Sequence, residues 1–134
     1  MVRMLGAWGA ALTVWLLGFS IVARLAAGAA GGGEPFSDLD RIVRLDLPWM
    51  LISVSMVVVA GAVQRDRTRR VRWLASVLPV PLLAALAGLA APAAGDSDAL
   101  SAVLYVAEWA AGTAGGLTLA SLVGVRREEL GGYW

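Results

Sequence analysis

Long apolar runs broken by short polar interruptions make up most of the chain. A helix needs about 20 apolar residues to cross roughly 30 Å of hydrocarbon. Four segments meet that requirement, from about Met4 to Ala27, Leu47 to Val63, Val71 to Ala91 and Ala99 to Val125. The breaks carry helix-ending chemistry. "AAGAAGGGEP" closes the first run, Pro48 suits the first turn of the second, and "QRDRTRRVR" divides the second from the third. "PAAGDSD" precedes the fourth and offers Asp96, Ser97 or Asp98 as an N-cap. The pattern predicts an all-α, integral membrane four-helix bundle over residues 1–134, a single domain with no stretch left for a soluble one.

The arginines give this pattern a direction, because cytoplasmic loops carry an excess of them. Arg65, Arg67, Arg69, Arg70 and Arg72 crowd the middle loop, Arg3 precedes the first span, and Arg126 and Arg127 follow the last. The opposite side has Arg41 and Arg44 among Glu34, Asp38, Asp40 and Asp46, with Asp96 and Asp98 in the final loop. Both termini are therefore expected in the cytoplasm. The first run also resembles a signal peptide, with "RLAAGAA" as small residues for cleavage. Its apolar region, Leu5 to Ala23, exceeds a usual signal core, so a retained helix is expected.

Composition strengthens the membrane reading. The chain of 134 residues is 59% hydrophobic and 16% charged, against about 45–50% and about 25% in soluble domains. Histidine and cysteine are absent. That removes disulfides, thiol nucleophiles, histidine-ligated haem, ordinary zinc sites and the Ser-His-Asp triad. All 11 basic residues are arginine, and alanine and glycine dominate. Such usage is associated with GC-rich bacterial genomes, and the expected location is a bacterial cytoplasmic (inner) membrane.

Several motifs carry a functional and a plainer reading. The loop arginines Arg65, Arg67, Arg69, Arg70 and Arg72 can hold lipid headgroups, at about 1 kcal/mol each near an anionic surface, or serve only to orient the chain. In "FSDLDRIVRLDLP", Ser37 can cap a short helix whose Leu39, Ile42 and Val43 share one face. It reads as an amphipathic stretch at the outer interface, either a docking surface or a connector. Asp38 with Asp40 and Asp96 with Asp98 could offer oxygen ligands to a cation, but helix capping explains them better, and no metal site is expected. In "LPVP", Pro79 and Pro81 remove the donors for the carbonyls of Ala75 and Val77, which predicts a kink.

One acid interrupts the apolar runs. Glu108 lies nine residues past Ala99, roughly 14 Å below the outer boundary at 1.5 Å per residue. The same counting brings Pro79, Pro81, Thr13 and Ser55 close to that level, so a polar layer near mid-membrane is expected. Tyr105, Gly112 and Gly116 share the helix side of Glu108, and the last two form a G-x-x-x-G pair suited to close helix packing. Glu108 is expected at a helix interface, as a proton- or cation-coupled site, as a protonated hydrogen-bonding strut to Tyr105, Thr13, Ser55 or a freed carbonyl, or paired with an arginine from a partner protein.

Three functions remain. A non-enzymatic subunit or accessory protein of a larger membrane assembly leads. A homo-oligomeric small transporter or channel around Glu108 follows. An enzyme acting on lipid comes last, since the spans hold no paired carboxylates. Membrane lipid and other subunits, or copies of the chain itself, are the expected partners. No nucleic acid, cofactor or metal is expected.

Overall fold

A computed structural model describes residues 2–30, 37, 39, 42–64, 69–93 and 99–131. The elements are α1 (Val2–Ala30), one π turn (Ile42–Asp46), α2 (Leu47–Val63), α3 (Arg70–Val77), α4 (Pro79–Ala93) and α5 (Ala99–Gly131). Among the described residues the fold is all-helical, with no strand. Three stretches among the described residues are long and apolar enough to cross a membrane: Val2–Leu25, Ile42–Val63 and Arg70–Leu89. At 33 residues α5 is the longest helix. Glu108 and the glycines and threonines from Gly112 to Thr118 dilute its apolar content.

Two segments differ from the sequence pattern. The second α-helix starts at Leu47 as the pattern predicts, and a π turn before it extends the membrane-length stretch back to Ile42. Asp46 is helical and makes no side-chain cap, while Pro48 sits in the first turn of α2, directly after the π turn. The Ile42–Asp46 part of the amphipathic stretch is thus wound onto α2, and Leu39, Ile42 and Val43 are exposed. Ser37 is not helical; Asp38, Asp40, Asp96 and Asp98 lie outside the described residues.

The third segment is two helices that meet at Leu78. Pro79 supplies no N–H, so the ladder is interrupted there. Leu78 still donates to the Leu74 carbonyl and Leu82 to the Leu78 carbonyl, each at 2.9 Å, so helical bonding resumes within a turn. Pro81, Val77 and Ser76 are fully buried at the bend. The Ser76 hydroxyl donates to the Arg72 carbonyl at 2.8 Å, which removes an unpaired polar group from the interior.

Helix α2 stands between α1 and α5. On one flank Gly6 meets Val63 and Gly18 meets Ile52, so α1 runs antiparallel to α2. On the other, Gly112 faces Ser53, Gly116 faces Val57 and Ala120 faces Gly61. Both series advance by four residues in the same direction, so α2 and α5 run parallel and stay in register over two turns. Gly88 of α4 abuts Tyr105, and Trp73 of α3 packs on Gly61. The interior is built from small residues and a few larger ones, among them Ala7, Ala11, Met56, Val57, Ala60 and Trp109. Large aliphatics such as Leu17, Leu83, Leu86, Val103 and Leu122 are exposed. Small residues inside and large ones outside suit a membrane protein, where close backbone approach holds helices together and lipid covers the rest.

Candidate functional site

Glu108 sits on the flank of the α5 face that packs on α2. Trp109, Gly112, Gly116 and Ala120 form the buried centre of that face, and Glu108 is half-buried beside it. Its carboxylate is not isolated, since Glu108 makes a polar or electrostatic interaction with its surroundings. Tyr105, one turn earlier, is half-buried and within electrostatic reach of Glu108.

The other members of the expected polar layer are placed differently. Thr13 is exposed on α1, and its hydroxyl donates to the Gly9 carbonyl at 2.9 Å. α2 separates α1 from α5, so Thr13 is not brought to Glu108. Ser55 is half-buried on α2, but two residues, about 200° of helix rotation, separate it from Ser53. Ser53, not Ser55, faces the glycines of α5. The Ser53 hydroxyl donates to the Met50 carbonyl at 2.8 Å, so it packs as a small, satisfied group. Pro79 and Pro81 form the α3–α4 bend, with Pro81 buried. Arg69, Arg70 and Arg72 are exposed at the start of α3. Arg65 and Arg67 lie outside the described residues.

The glycine seam brings α5 against backbone as well as side-chain atoms of α2. A Cβ on Gly112 would collide with the Ser53 hydroxyl and stand 2.9 Å from the Met50 carbonyl oxygen. A Cβ on Gly116 would stand 2.8 Å from the Val57 Cβ and 3.0 Å from the Val54 carbonyl oxygen. Only hydrogen fits at either position, which lets α5 lie directly on the α2 backbone.

A series of aromatic rings runs from α1 across α2 to the N-terminal half of α5. Trp15 and Phe19 lie 5.8 Å apart, Phe19 and Trp49 6.1 Å, Trp49 and Tyr105 6.5 Å, and Tyr105 and Trp109 6.4 Å between ring centroids. The series ties α1, α2 and α5 together through offset and edge contacts that aromatic rings favour. The Tyr105 hydroxyl and the Trp109 indole N–H are buried without a well-formed hydrogen bond. A carboxyl group with a phenol and an indole beside it can hold a proton or orient a cation. Among the described residues no three of His, Cys, Asp and Glu gather as a metal-holding group.

Sequence reasoning missed Ser53, Gly88, Trp49 and Trp109. The spacing of Ser53, Val57 and Gly61 at i, i+4 and i+8 is a usable signal for the first, since it matches Gly112, Gly116 and Ala120. The pattern of apolar runs also passed over Arg24, which is exposed near the end of the first membrane-length stretch. Comparison with protein-family models, curated proteins and solved structures found no match to this chain.

Proposed function

We propose that the chain is a four-span protein of a bacterial inner membrane, with both termini in the cytoplasm, acting as a non-enzymatic subunit of a larger membrane assembly. The fourth span is α5. Its register with α2 supports this, because parallel helices in contact over two turns traverse the same depth. Arginine placement supports the orientation. The chain has no cysteine, so a Thr68→Cys variant carries a single thiol. That thiol is expected to react with impermeant reagent only from the cytoplasmic side; labelling from outside alone would reverse the topology.

The observation that carries the subunit reading is a second small-residue stripe on the outward face of α1. Gly9, Thr13 and Ser20 share one face and are all exposed, with the larger Leu16 between them. The chain's own packing uses the opposite side, through Ala7, Ala11, Gly18 and Val22. Nothing lies within 4 Å of a Cβ added at Gly9. The hydroxyls of Thr13 and Ser20 donate to the Gly9 and Leu16 carbonyls at 2.9 and 2.8 Å, so both are satisfied within the helix. Lipid contact favours large aliphatic residues, whereas such a stripe admits another helix closely.

Purification in mild detergent followed by mass determination tests the reading. A second polypeptide at fixed stoichiometry is expected, and Gly9→Leu with Ser20→Leu should release it without altering the chain's own melting. A particle of one copy, or of several identical copies, would defeat the subunit reading. Identical copies would favour the second reading, a homo-oligomeric transporter or channel, which draws support from the half-buried Glu108 beside Tyr105.

A further inference from the structure

A groove opens between α3 and α5 at the end of the bundle where α2 gives way to the arginine-rich loop. Its volume is about 270 Å³, and Arg70, Trp73, Leu74 and Ser121 line it. The Trp73 ring is half-buried and rests on the α2–α5 seam, with Cζ2 3.5 Å from the place of a Cβ on Gly61. That seating makes the indole a fixed wall. Leu74 extends the apolar surface along α3, and Arg70, one turn earlier, lines the same groove. Arg69 and Arg72 are exposed next to it.

We infer that this groove holds one anionic phospholipid of the cytoplasmic leaflet, an inference that rests on the membrane reading above. The charge and the wall chemistry point to the same occupant. A guanidinium fork matches a phosphate in two parallel hydrogen bonds and stays charged at every physiological pH. The indole and leucine walls give the upper part of an acyl chain an apolar surface, where a free anion gains nothing. Tryptophan and arginine together mark the headgroup level of a membrane protein. The volume falls below the roughly 300–1,000 Å³ of small-molecule sites, which suits a headgroup and the start of one chain, with the remainder in the bilayer. The loop arginines thus divide into a specific contact at Arg70 and a general attraction from its neighbours.

Native mass spectrometry of the full chain in detergent, with phosphatidylglycerol or phosphatidylcholine of matched acyl chains, tests the site. One phosphatidylglycerol should be retained per chain, about fivefold more than phosphatidylcholine, which corresponds to the ~1 kcal/mol an arginine contributes near anionic lipid. Arg70→Gln should abolish that preference, whereas Arg69→Gln should leave it largely intact. Ser121→Trp keeps every charge but fills the groove, and it should lower retention of both lipids. Excess inorganic phosphate should displace neither lipid.

Equal retention of both lipids by the wild type would overturn the proposal. So would equal losses in Arg70→Gln and Arg69→Gln, which would show diffuse charge attraction, or unchanged retention in Ser121→Trp. Displacement by phosphate would make it a free-anion site and likewise overturn it. Membrane association is read separately by carbonate extraction, so failure of the lipid site and failure of the membrane reading are distinguishable.

Discussion

Replacing Gly112 and Gly116 together by leucine is expected to destroy the bundle. A Cβ at Gly112 already stands 2.9 Å from the Met50 carbonyl oxygen, and one at Gly116 stands 3.0 Å from the Val54 carbonyl oxygen. A side chain such as Ser53 can shift, but those carbonyls are fixed by the hydrogen bonds of α2. The remaining atoms of each leucine have nowhere to go unless the helices part. A single overpacked position costs about 1–3 kcal/mol where neighbours can adjust, and these two share one seam whose neighbours cannot. The sum approaches the roughly 5–15 kcal/mol that holds a domain together. Thermal unfolding in detergent should show the double variant far below wild type, with Gly112→Ala and Gly116→Ala between them. Gly9→Leu is the control, since the space around Gly9 is open, and it should melt within about 0.5 kcal/mol of wild type. A double leucine variant that melts like Gly9→Leu would show that the seam does not form.

Glu108→Leu is expected to lower stability by about 1–3 kcal/mol, while Glu108→Gln stays close to wild type. Glu108 is half-buried and engaged with its surroundings. Leucine removes the carboxyl from that interaction, and losing a polar interaction at a half-buried position carries this penalty. Glutamine keeps the shape, an acceptor oxygen and a donor, and loses only the charge and the exchangeable proton. Equal behaviour of the two variants in thermal unfolding and in assembly would refute the hydrogen-bonding role. Glutamine falling as far as leucine would instead identify an ionised carboxylate paired with a cation. Normal assembly with lost transport would move Glu108 into a coupling role and strengthen the transporter reading.

How the site was legible differs by residue. Glu108 was visible as one acid in an apolar run, and Gly112 and Gly116 as two glycines four apart on its side of the helix. Ser53 was not, because Ser53 and Ser55 are equally polar and nearly level along the helix. Thr13 was grouped with Glu108 by depth alone, yet it faces outward and bonds to Gly9. In a soluble helix the contrast of apolar and polar positions points to the core. These helices are apolar all round, so that contrast is missing, and residue size is the weaker cue that replaces it.

Sequence alone determined the quantities that run along a helix. These include the helical class, the approximate ends of the apolar stretches and the interruption at Pro79. Each follows from local backbone chemistry or from a rise of 1.5 Å per residue. Tertiary structure decided what runs around the bundle: that α2 lies between α1 and α5, that Ser53 meets Gly112, and that the π turn joins Ile42–Asp46 to α2. It also brought Arg70, Trp73 and Ser121 around one groove. Rotation of one helix against another depends on which pairs of surfaces interlock. That is a property of two segments at once, and no single stretch of chain encodes it.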